Sequence, residues 1–284
     1  MRLIAAKLAM PGRLVANVRQ AYGAPRAKAD RRQIAMDLLL PAVDQALQQA
    51  ELHASQLDLI VSLSLSPDHL VSECEIMGPR IGHPLQKAIA AKNAFVFDLM
   101  DASLAKAIRI INTLAQQENY KNVLLVRSEM GHGVSPDSSS GFCLPDGAMA
   151  LVLKPVVEQY FSQGLLEGGW SPLVVQLNTN IQSPLDEKCR FNFSYQEGLA
   201  KSIGRANDQL LSRTDLPANE GIFENWLSVS PGENACFGPF DLPREFVRRL
   251  EEGRYGGLLA VSFDPFGPVV ETVSLELAAG GAYA

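Results

Sequence analysis

The chain has 284 residues, 47% of them apolar and 20% charged, and its 25 Lys and Arg against 31 Asp and Glu leave a formal charge of −6. That balance can build a large core and excludes disorder as the dominant state. Its mild acidity argues against a dedicated nucleic-acid binder, which carries a basic face. The length fits one large domain or two medium ones, and no apolar run reaches the roughly 18–20 residues that cross a bilayer.

Taken in chain order, the first ten residues, MRLIAAKLAM, offer two readings. They resemble the start of a signal peptide, but Pro11, Arg13 and Arg19 arrive before any long apolar region, which favours a first β-strand. Asp30 is positioned to cap a helix running through Ile34 and Leu38 toward Ala46, with Pro41 kinking or restarting it. Leu57–Leu65, Ala94–Leu99, Asn122–Val126 and Ala148–Leu153 have strand length and β-branched content. Between them, residues 102–118 set Ala105, Ile108, Ile111 and Ala115 on one face at helical spacing. Strands alternating with helices imply parallel β-α units in a sheet covered on both faces.

Loop chemistry follows at Pro136-Asp-Ser-Ser-Ser-Gly141 and Glu167-Gly-Gly-Trp-Ser-Pro172. Beyond it, Leu173–Leu177, Trp226–Val229, Leu258–Phe263 and Val269–Leu277 read as strands, and Gln196–Leu211 and Leu242–Glu252 as helices. The two parts, residues 1–160 and 161–284, have similar make-up and are expected to form two α/β halves of one compact unit. Cys74, Cys143, Cys189 and Cys236 form no C-x-x-C pair and none stands at metal-ligand spacing from a histidine. Ordinary thiols in a cytoplasmic protein without a metal site are the expectation.

Four segments, in order, carry a resemblance. Leu57–Leu65 with Ser66-Pro67-Asp68-His69 is similar to "LIIVAT-TPDH" of the β-ketoacyl-acyl-carrier-protein synthase III family. Phe97-Asp-Leu-Met-Asp-Ala-Ser103 resembles that family's nucleophile segment "FDVNAAC". Tyr120-Lys-Asn-Val-Leu-Leu-Val-Arg-Ser-Glu129 resembles "YKNVLVVGSE", and Asp146-Gly-Ala-Met-Ala150 resembles "GDGAGAVVL". The resemblance spans roughly residues 55–153 and continues only in outline beyond them. It implies a thiolase-like fold of five layers, α-β-α-β-α, with two similar halves, usually dimeric. Ile76–Lys87, Phe97–Ala107 and Ser262–Gly267 narrow it to the partner subunit of heteromeric 2-alkyl-4-quinolone synthases. In that family a sister subunit carries the nucleophile, and the complex joins a fatty acyl group to 2-aminobenzoylacetate.

Residue by residue, the resemblance implies a degenerate condensing site. The family's nucleophile is a cysteine at a helix N-terminus, where the helix dipole favours a thiolate. Here the position is Ser103, whose hydroxyl needs an adjacent general base that the sequence does not display. His53, His69, His83 and His132 all precede residue 133, whereas the family draws its catalytic histidine from the C-terminal half. The region matching "VPHQAN" reads Leu227-Ser-Val-Ser-Pro-Gly232, and Asn234 is either the family's asparagine or a loop residue. The glycine-rich oxyanion loop is replaced by Asp264, Pro265 and Phe266. Proline lacks the N–H such a loop offers, and losing one such donor costs about 3–4 kcal/mol of transition-state stabilisation. Asp101 would add negative charge if it points into the site. The "W-I-x-x-R-T-G-I" shelf for coenzyme A has no counterpart between Pro11 and Ile34, so no cofactor is expected.

Met77, Pro79, Arg80, His83 and Leu85 lie where the family places its dimer interface, with a plain surface loop as the competing assignment. Arg26–Arg32 and Arg244–Arg254 read as solvated charge. The leading expectation is a non-catalytic subunit that pairs with a catalytic homologue, covers its dimerisation surface and shapes its substrate channel. A stand-alone acyltransferase or decarboxylase using Ser103 is the first alternative. A scaffold binding an alkyl ligand in a relict tunnel is the second.

Overall fold

The computed structural model describes residues 1–11, 34–64, 81–99, 103–130, 145–163, 238–262 and 269–280 in full, together with the backbone of strand segments outside those ranges. Strands arise where apolar runs carry β-branched residues. They are β1 (Arg2–Ala9), β2 (Leu14–Val15), β3 (Arg26–Ala27), β4 (Leu59–Leu63), β5 (Phe95–Leu99), β6 (Val123–Glu129) and β7 (Val134–Pro136). They continue with β8 (Gly147–Lys154), β9 (Phe161–Leu165), β10 (Gln176–Asn178), β11 (Arg190–Phe193), β12 (Gly221–Phe223), β13 (Gly256–Asp264) and β14 (Val269–Leu277). The helices are α1 (Ala35–Gln49), α2 (Gly82–Ala88), α3 (Leu104–Gln117) and α4 (Asp241–Glu251).

One hydrogen-bonded path runs β12-β13-β14-β1-β8-β6-β4-β5, with β9 pairing β14. β6 and β8 are interior strands whose residues are buried on both faces, which is why their sequences are apolar runs rather than alternations. Opposite faces feed two cores. Val123 and Leu125 of β6 and Met149, Leu151 and Leu153 of β8 pack with α3 and α4 in one cluster. Leu124 and Val126, with Ala148, Ala150 and Val152, pack against α1 and α2 in the other. The first cluster also takes Leu258 and Ala260 of β13 and Val273, Leu275 and Leu277 of β14. Helix α3 therefore lies between β4 and the β13–β14 hairpin, with its apolar face enclosed by sheet.

Three expectations about this architecture need correction. The units are not uniformly parallel: β4 runs parallel to β5 and β6, but β8 is antiparallel to both β6 and β1, and β13 to β14. Alternation of strand and helix in sequence specifies a connection, not the direction in which every strand enters the sheet. Pro41 neither kinks nor restarts α1, which runs unbroken through it. The proline sits on the exposed side, so the carbonyl deprived of its donor meets water. The start of α1 is fixed by Ile34, whose N–H donates to the Asp37 carboxylate at 2.9 Å, while Asp30 lies outside the described residues.

Among the other elements, β1 forms as expected, and the strand expected over 173–177 overlaps β10 at its end, residues 173–175 lying outside the described ones. The short strands β2, β3, β7, β9, β11 and β12 carry no apolar alternation long enough to be read from sequence. The strand expected over 226–229 and the helix expected over 196–211 lie outside the described residues.

Candidate functional site

The site is built where α3 meets the β13–β14 hairpin. Ser103 is the N-cap of α3, with extended backbone at φ −61° and ψ 153°, and its Oγ accepts the Lys106 N–H at 3.1 Å. Serine is a preferred cap because its short side chain reaches one of the amides left unpaired in the first turn. The apolar face of the following LAKAIRIINTLAQQ draws that cap into the interior, where Ser103 is 0% exposed.

Two strand residues complete the constellation. The hairpin register sets Ser262 of β13 directly opposite Glu271 of β14. Ser262 Oγ accepts the Ala105 N–H at 2.7 Å, and the Ser103 hydroxyl donates to the Glu271 carboxylate. Glu271 and Ser262 are each only 1% exposed. Two first-turn amides of α3 are thus taken by serine oxygens, and a carboxylate stands against the cap, where the positive end of the helix favours negative charge.

This arrangement is a hydrogen-bonded polar knot closed to solvent. A serine must lose its proton to attack, and the Glu271 carboxyl that accepts its hydrogen bond is, among the described residues, the one group in contact of a kind that could take it.

Glu271 is the residue that sequence reasoning missed. A signal existed: in β14, Val269, Glu271, Val273, Leu275 and Leu277 alternate onto one face, and a glutamate there among aliphatics demands a buried partner. The same logic marks Arg127 and Glu129, which share a face of β6 with Val123 and Leu125. Both are 0% exposed and paired, Arg127 Nε to Glu129 Oε1 at 3.2 Å. Arg127 also donates from Nε to the Leu63 carbonyl at 3.2 Å and from Nη1 to the Pro239 carbonyl at 3.5 Å. It thereby ties the end of β4 to the approach to α4.

The remaining sequence candidates distribute as follows. The backbone of Asp264 ends β13 opposite Val269, and Pro265 and Phe266 lie outside the described residues. Asn234, Asp101, Met77, Pro79, Arg80 and all four cysteines also lie outside them. His83 is exposed on the first turn of α2, with its Nδ1 4.0 Å from Asp98. Asp98 accepts the Gly82 N–H at 3.0 Å and is hydrogen-bonded by the Ser62 hydroxyl, so it anchors the start of α2 to β4 and β5. Leu85 is 0% exposed and belongs to the outer core with Ile81 and Ala94. It is therefore a packing residue, and its assignment to a docking surface is corrected: on the short α2 the side chain that faces the sheet is the apolar one. Among the described residues no group of three or more His, Cys, Asp or Glu could hold a metal ion, and no helix is long and apolar enough to cross a membrane.

No protein-family model matches the chain. It is 44% identical over 258 residues to the 2-heptyl-4(1H)-quinolone synthase subunit PqsB of Pseudomonas aeruginosa PAO1, covering 89% of each chain. In three dimensions it is similar to 3-oxoacyl-(acyl carrier protein) synthase III of Pseudomonas aeruginosa PAO1, with a TM-score of 0.70 at 14% identity over 97% of this chain and 98% of the other. The priming β-ketosynthase of the R1128 polyketide pathway superposes with a TM-score of 0.71 at 16% identity, covering 98% of this chain and 94% of the other. At those identities the two structures establish the fold alone. A thiolase-like architecture of the synthase III type, joined to close sequence identity across nine-tenths of the chain, leads to one conclusion: this chain belongs to the PqsB family of quinolone synthase subunits.

Proposed function

We propose that this chain is the non-catalytic, synthase III-like subunit of a 2-alkyl-4-quinolone synthase. It pairs with a catalytic PqsC-like homologue, and that partner joins the fatty acyl group to 2-aminobenzoylacetate. The observation that supports the reading most directly is that the cap of α3 is the fully buried Ser103 and not a cysteine. At the position where a condensing enzyme needs an activated sulfur, this chain holds a capped hydroxyl facing a buried carboxylate. A subunit can lose that chemistry and keep its core, because the apolar residues around α3 and the sheet do not depend on it. What it retains is a surface for its mate, and such pairs draw stability from association.

The test is reconstitution. The chain, its homologue, and the two together are supplied with an acyl thioester and 2-aminobenzoylacetate, and alkylquinolone is measured by mass spectrometry. Product is expected only from the pair, with the acyl adduct on the homologue. Turnover by this chain alone, abolished in Ser103→Ala, would overturn the reading in favour of a Ser-dependent enzyme. Full activity of the homologue alone would remove the partnership.

A further inference from the structure

We draw no further inference here: the strongest candidate, the β5 edge of the large sheet, where Phe95 stands 53% exposed beside the partly buried Val96, Phe97 and Leu99, carries nothing because nothing in the structure shows what covers it.

Discussion

Ser103→Ala separates a structural serine from a catalytic one by the size and kind of its effect. Two interactions go with the hydroxyl. The first is the N-cap bond to the Lys106 amide, whose removal by alanine costs about 0.5–2 kcal/mol. The second is the hydrogen bond to the Glu271 carboxylate, and bonds to charged groups contribute about 1.5–3 kcal/mol. The site is buried, so water replaces neither bond freely. A loss of about 2–5 kcal/mol follows, read as a lower denaturant midpoint with an unchanged slope. Glu271→Ala and the double variant complete a cycle, in which a coupling energy of about 1–3 kcal/mol is expected for groups in contact. The reconstituted pair carrying Ser103→Ala should retain its turnover once saturated with the homologue. A stability change below about 0.5 kcal/mol, or unchanged stability with abolished turnover, would refute the reasoning.

Other expectations follow from the same geometry. Arg127→Ala removes the guanidinium paired with the buried Glu129 and should cost about 3–5 kcal/mol by thermal or chemical denaturation; Arg127→Lys should rescue it poorly, because an ammonium cannot reach Leu63, Glu129 and Pro239 at once. Leu85→Ala should cost about 2–5 kcal/mol as a fully buried residue, whereas His83→Ala, 58% exposed, should stay within about 0.5 kcal/mol of wild type. On α4, hydrogen bonds from Arg248, and then Arg249, lower the Glu245 carboxyl from its ordinary 4.5 to about 2. Because the folded value lies below the unfolded one, its stabilisation is present above pH 4.5 and disappears as pH falls from there toward 2. Glu245→Gln should flatten the stability profile across that window, and high salt should shrink the difference between the two proteins.

The elements that sequence periodicity revealed are those whose stability is local. Helix α3 announces itself through Ser103 and the Ala105, Ile108, Ile111, Ala115 stripe, all buried as the spacing requires. The interior strands β6 and β8 are legible because both faces must be apolar. β14 matches its expected bounds, Val269–Leu277. The family, too, was legible: the Tyr120–Glu129 and Asp146–Ala150 segments that resemble synthase III fall on β6 and on the start of β8.

What one-dimensional pattern could not supply was which strand entered the sheet in which direction, and what met what across it. Leu85 looked available in sequence and is sealed between α2 and the sheet. Glu271 looked like an ordinary strand glutamate until the hairpin register carried it, with Ser262, to the cap of α3. Local propensity is decided by neighbours within a few residues. A buried carboxylate is decided by partners 168 residues away, because only the packed chain can offset the cost of taking it out of water.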